Sequence, residues 1–276
     1  MTDTAAAPPT VRDVVGALDA RYPRAWAEQW DRVGLVLGEF DTPVSTVLCV
    51  VDCVPETVEE AVEAGASLIV AHHPLLLKGV SSVAPDTYKG RIVHRLIKAD
   101  VALYVAHTNA DVAEPGVSDA LAARLDLVNL RPLVPAEPGR GRGIGRVGEL
   151  AAPMPLAELT TFVARRLPAT AGGVRAAGDP GRLIRTLAVC GGAGDGFLGD
   201  ADRAGADAYL CADLRHHPAS EHLAAGGPAL LDAAHWATER PWLDEVAGWL
   251  RAQFPVTALV SDLDTDPWTV HAVSGK

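Results

Sequence analysis

Three runs of this sequence close an apolar stretch with histidine or carboxylate: LIVAHHP (68–74), YVAHTNAD (104–111) and LLDAAHWATE (230–239). Imidazole nitrogen together with carboxylate oxygen suits zinc, manganese, iron or nickel, whereas calcium takes oxygen ligands almost alone. The candidate ligands are His72, His73, Asp111, His235 and Glu239. These are more donors than one ion needs. A carboxylate can span two cations and hold them ~3.5–4 Å apart, as in two-metal hydrolytic sites. Water between such ions loses a proton near neutral pH, so the chemistry on offer is hydrolysis. A single histidine after a strand is ordinarily a cap or a surface residue. Four histidines (His107 included) and two carboxylates at three strand ends form a cluster that nothing but a metal would pair.

Other polar groups adjoin these runs. His107 and Asn109 share a segment with Asp111 and could orient ligands or water, or simply close a strand end. His216, His217 and His222 follow a second strand ending DAYLCADLRHH. His217, like His107, is a candidate proton carrier, against the plainer reading of solvated helix histidines. The run GGAGDG (191–196) could turn backbone N–H groups toward a phosphate at a helix N-terminus, but its spacing is not G-x-G-x-x-G, and a tight strand-to-helix turn accounts for the glycines. In WDRVG, Trp30 and Asp31 read as packing and capping residues, since nothing beside them completes an acid/base set.

The elements that must position these groups alternate. Thr10 caps a helix with Val11, Val14, Val15 and Leu18 on one face. A valine-rich strand at Val44–Val51 leads into a helix begun by Pro55, with Val58, Ala61 and Val62 inward and Gly65 near its end. Strands at Ser67–Ala71 and Val101–Ala106 bracket a helix faced by Ile92, Val93, Leu96 and Ile97, and another helix carries Val117, Ala120, Leu121 and Leu125. Beyond PAEPGRGRGIG (135–145), which breaks all periodicity, come a helix at Leu156–Leu167 and strands at Leu183–Cys190, Ala208–Ala212, Leu230–Ala233 and Val256–Val260. The expected fold is α/β: two related lobes with largely parallel or mixed sheets flanked by helices, and a metal site at strand carboxyl ends between the lobes. The lobes are placed at 1–134 and 146–276, joined by residues 135–145. The histidine pairs of SLIVAHH and DAYLCADLRHH hint at an ancient duplication.

Composition narrows the partners. A chain of 276 residues that is 49% hydrophobic and 21% charged is long and apolar enough for one large core or two smaller ones. Its formal net charge of -11 repels phosphate backbones and argues against nucleic acid, although bound cations can reverse the field within a pocket. The cysteines Cys49, Cys53, Cys190 and Cys211 form no C-x-x-C pair and read as reduced, buried thiols. No signal-peptide pattern and no apolar run of about 20 residues occurs, so the sequence predicts a cytoplasmic protein without a membrane span.

WDRVGLVLG (30–38), AHHPLLLKG (71–79), HTNAD (107–111), VCGGAGDG (189–196) and DAAHWATERP (232–241) occur in the order seen in one family. On these motifs, over nearly its whole length, the chain resembles the NGG-one-interacting-factor-three-like family, many of whose members carry the name GTP cyclohydrolase I type 2. The resemblance implies two divalent cations per chain held by His72, His73, Asp111, His235 and Glu239. It implies Glu239 on both ions, His73 and Asp111 favouring one and His72 and His235 the other. It further implies a ring-like homohexamer and, from the shortness of this chain, the compact form lacking the middle domain that longer members insert near 135–145.

Two functions follow as expectations. The first is a metal-dependent hydrolase of a nucleotide or related small molecule, GTP cyclohydrolase I type 2-like by resemblance. The alternative is a non-catalytic metal-binding hexameric scaffold, or a regulatory or metal-delivery protein, using the same ligands. A phosphate-loop or dinucleotide-binding enzyme is excluded by the absence of G-x-x-x-x-G-K-[ST] and of the dinucleotide spacing.

Overall fold

The computed structural model describes residues 7–137, 139 and 141–272. They form two compact units: one runs up to Ala110 and takes in Leu243–Thr265, and the other comprises Asp111–Trp242 and the chain from Asp266 onward.

The first unit opens with α1 (Val11–Arg21), β1 (Gly34–Leu37), β2 (Thr46–Val50), α2 (Pro55–Glu63), β3 (Leu68–Ala71), α3 (Tyr88–Lys98) and β4 (Ala102–Val105); the short α4 (Thr108–Asp111) then leads into the second unit. Thr10 and Asp13 form the capping box of α1, each side chain bonding the other's backbone N–H, and Val11, Val14, Val15 and Leu18 are its buried face. The second unit continues with α5 (Val117–Arg124), β5 (Val128–Pro135), β6 (Gly143–Pro155), α6 (Leu156–Arg166), β7 (Val174–Ala177), β8 (Leu183–Ala193), α7 (Leu198–Arg203), β9 (Ala208–Ala212), α8 (His216–Ala224), β10 (Ala229–Ala233) and the start of α9 (His235–Gln253). The later turns of α9 and then β11 (Thr257–Val260) belong to the first unit.

The first sheet has the order β1-β4-β3-β2-β11, parallel except for β1. β2, β3 and β4 are apolar on both faces and buried almost throughout, as parallel strands covered on two sides must be. One face packs Leu48, Val50, Ile69 and Leu103 with Val58 of α2 and Ile92 and Leu96 of α3. β11 completes this sheet beside β2, Thr257–Val260 in register with Thr46–Cys49, so the last strand of the sequence joins the first unit's sheet.

The second sheet is mixed, with order β5-β6-β8-β9-β10-β7. β8, β9 and β10 run parallel in its centre, and β6 and β7 pair antiparallel on either side. Residues 135–145 are the turn region of the β5–β6 hairpin, of which Pro138 and Arg140 lie outside the described residues. Among the described residues, no helix is long and apolar enough to cross a membrane.

Candidate metal-binding groups

In the first unit the parallel register brings three strand ends to one rim. Val50, Ala71 and Val105 lie side by side on β2, β3 and β4. The ladder runs on past the strands: His72 N–H donates to the Val50 carbonyl, His73 N–H to Val51, and Ala106 N–H to Ala71. His72 and His73 follow β3, His107 follows β4, and Asp52 follows β2. The rings of His72, His73 and His107 stand 5.1 to 5.5 Å apart, and one ligand atom from each lies within 4.8 Å of the others.

Each of these rings is held at Nδ1 by a group that can only accept there. His72 Nδ1 is 2.9 Å from the Ala106 carbonyl, His73 Nδ1 2.7 Å from Asp52 Oδ1, and His107 Nδ1 2.9 Å from Asp31 Oδ1. The proton therefore sits on Nδ1, and Nε2 carries the lone pair that a metal or a proton takes up. Asp31 is buried and also accepts from the N–H and hydroxyl of Thr108, which fixes the start of α4. Burial opposes ionisation of Asp31, but the hydrogen bonds from His107 and Thr108 hold its carboxyl well below the usual carboxylate range. Trp30 beside it is 55% exposed and meets His107 edge to face at 5.9 Å.

In the second unit the ends of β8, β9 and β10 play the same part. His235 opens α9 just beyond β10, and Glu239 follows one turn later, with His235 Nε2 3.0 Å from Glu239 Oε1. His235 Nδ1 is 2.7 Å from Asp213 Oδ2, at the end of β9, so this ring too presents Nε2. Gly192, near the end of β8, has φ +70°, and a Cβ there would stand 2.3 Å from Glu239 Oε1 and 3.0 Å from His235 Nε2. Its N–H donates to Thr238 Oγ1, whose hydroxyl in turn donates to the His235 carbonyl. The GGAGDG glycines thus serve a close approach: β8 runs on to Ala193, and Gly192 makes room for the carboxylate and imidazole.

Asp111, at the end of α4, sits on a segment tied down just downstream. The Val112 carbonyl accepts from Gly143 N–H, and the Ala113 carbonyl from the buried Arg146, which also makes two bonds of 2.6 Å to Asp119. Burial pushes the Cys190 thiol up to about 12, and the negative charges of Asp111 and Glu239 add to that push. Both carboxylates therefore act electrostatically on one thiol of this unit.

His72, His73 and His107 are brought together, as are His235 and Glu239. His217 is exposed at the start of α8, its ring 5.2 Å from that of His216. The two histidine pairs are therefore not equivalent: His72 is wholly buried at a strand end, whereas His216 and His217 begin a helix in solvent. The sequence singles out neither Asp52 nor Asp213, and it suggests only packing and capping for Asp31. Asp31 does cap, and it also holds His107.

The chain has relatives along almost its full length. The family model described as Duf34/NIF3 (NGG1p interacting factor 3) matches residues 9–267. A Streptomyces coelicolor protein named GTP cyclohydrolase 1 type 2 homolog is 55% identical over 275 residues, 96% of each chain. A Mycobacterium tuberculosis protein of the same name is 36% identical, with 96% of this chain and 98% of that one aligned. Among solved structures, a Bacillus cereus protein related to NIF3 superposes with a TM-score of 0.87 at 25% identity, covering 95% of this chain and 99% of that one. A Staphylococcus aureus hypothetical protein gives 0.85 at 28% identity, covering 96% and 100%. With its helix-flanked sheets, its strand-end histidines and a family match over almost its full length, the chain belongs to the DUF34/NIF3 family.

Proposed function

We propose that this protein holds two divalent cations through His72, His73, Asp111, His235 and Glu239 and uses them to hydrolyse a nucleotide or related small molecule. The observation that carries the reading is the Nδ1 restraint. Three candidate ligand histidines, His72, His73 and His235, are each fixed at Nδ1 by a carbonyl or a carboxylate, the arrangement by which proteins orient and strengthen imidazole ligands. The donor set, imidazole with carboxylate, suits zinc, manganese, iron or nickel.

When bound, such cations supply Lewis acidity and water of lowered pKa. The remaining steps fall to the protein. Glu239, only 3% exposed, supplies the carboxylate charge that offsets two cations, and Gly192 leaves room for it. His107 is the proton carrier in this reading: Nε2 takes the proton, while Asp31 at Nδ1 fixes the ring and stabilises the imidazolium. The name borne by the relatives, GTP cyclohydrolase 1 type 2 homolog, supports a purine nucleotide as the substrate to try first.

The test is turnover of a nucleotide panel that includes GTP, by protein loaded with zinc, manganese, iron or nickel. The expected result is hydrolysis that disappears in Glu239→Ala and falls by roughly 10²–10⁴ in His107→Ala with metal content retained. A fully loaded protein that turns over no nucleotide would leave the metal-binding scaffold as the correct reading.

A further inference from the structure

We propose that the second unit carries a separate binding site for a small amphipathic anion, a carboxylate or phosphate on an apolar body, in a cavity of about 410 Å³ between α8 and the β10–β7 edge of the sheet. Its floor is apolar, with Leu230 of β10, Leu223 of α8 and Ala177 of β7. Arg175 and Arg215 stand at the mouth with side chains 76% and 75% exposed, and His216 is beside them. Each arginine is paired with an aspartate, Arg175 with Asp232 and Arg215 with Asp195, so the pull on an anion rests on the guanidinium N–H donors that these pairs leave over.

Both guanidiniums are held in place. Asp232 lies directly opposite Arg175 in the antiparallel β10–β7 register, and its Oδ2 receives Arg175 Nε at 2.7 Å and Nη2 at 2.6 Å. Asp232 Oδ1 accepts from the Leu214 backbone N–H, so the acid is engaged on both oxygens. Arg215 is anchored through Nε to Asp195. Most N–H donors of the two guanidiniums are left over, in the fork geometry that matches carboxylate and phosphate. The first turn of α8, where the cavity opens, contains no acidic residue and no side-chain cap, so its electrostatic end adds to the same preference.

Neither the metal ligands nor the proposed hydrolysis uses these groups. Apolar body and anionic head are both required: the leucine floor offers nothing to a bare ion, and the arginines offer nothing to a neutral alkane.

Octanoate is a suitable probe, with n-octylamine as its charge-reversed control, each titrated into the full-length protein by calorimetry. Saturable octanoate binding is expected, weakened roughly tenfold or more in Arg215→Ser by loss of a charge-assisted contact and abolished in Ala219→Trp, which fills the cavity. Arg215 is exposed, so its variant tests the anion contact even if the Ala219 variant fails to fold. The proposal is overturned by an absence of octanoate binding up to about 10 mM, the millimolar range in which a single weak anion site still registers. Equal binding of n-octylamine, or octanoate affinity unchanged in Arg215→Ser, overturns it as well.

Discussion

Asp52 Oδ1 accepts the Nδ1 proton of His73 at 2.7 Å, and Asp213 Oδ2 stands in the same relation to His235 at the same distance, in the other unit. The acid comes from the strand end next to that of its histidine: Asp52 follows β2 beside β3, and Asp213 follows β9 beside β10. A parallel β–α–β arrangement makes this pairing natural, because neighbouring carboxyl ends lie within one side chain of each other. The same device therefore orients an imidazole in each sheet.

Replacing Asp52 or Asp213 by asparagine should weaken metal binding by roughly 10–100-fold, because an amide is a poorer orienting partner and leaves the imidazole less basic. The fold should survive, as both acids are at least partly exposed. Competition between protein and a zinc chelator measures the affinity, and circular dichroism checks the fold. Unchanged affinity in both variants would remove these acids from the metal site.

Gly192→Ala tests the close approach in the second unit. The positive φ alone should cost about 1 kcal/mol in stability. The added methyl would also meet Glu239 Oε1 at 2.3 Å and His235 Nε2 at 3.0 Å, so both donors must shift. A lowered melting temperature together with a reduced metal stoichiometry by elemental analysis is expected. Metal content equal to that of the wild type would show that the cradle does not bear on the ligands.

The central strands were legible because burial on both faces demands the continuous apolar runs found at β2, β3, β4, β9 and β10. β5 and β7 are edge strands with partly exposed, polar or proline-bearing sequences, VNLRPLVP and VRAA, and carry no such run, while β1 (GLVL) is apolar but only four residues long and half-buried at the edge of its sheet. No local pattern reveals that β11 belongs beside β2, since that pairing spans most of the chain. Histidines next to apolar strands were conspicuous. Their partners were not: Asp31 is 76 residues from His107, Asp52 is 21 from His73, and Asp213 is 22 from His235, and only the sheet register brings them together.

Asp119→Ala should be among the most damaging single changes in the second unit. Arg146 is 2% exposed and donates to both Asp119 oxygens and to the carbonyls of Gly143, Gly145 and Ala113. Removing the acid strands a buried guanidinium, at a cost of about 3–5 kcal/mol. Denaturant unfolding gives the number, and a loss under about 1 kcal/mol would mean that the backbone carbonyls suffice to hold the arginine.

All four cysteines are buried, and burial pushes the thiols of Cys49, Cys53 and Cys190 up to about 12 and that of Cys211 higher still. A raised thiol pKa means less thiolate: at pH 8 a pKa near 12 leaves on the order of one molecule in ten thousand ionised, and the thiolate is the reactive form. The folded protein should therefore be nearly inert toward a disulfide reagent such as dithionitrobenzoate at pH 8, and all four thiols should react once guanidinium unfolds the chain. Raising the pH should speed the native reaction without saturation up to about pH 10, because every native thiol titrates above that range. Rapid labelling of one cysteine in the folded state would identify a thiol that opens to solvent, and Cys190, beside the Gly191–Gly192 stretch of β8 that borders Glu239, is the position at which such opening would also disturb metal binding.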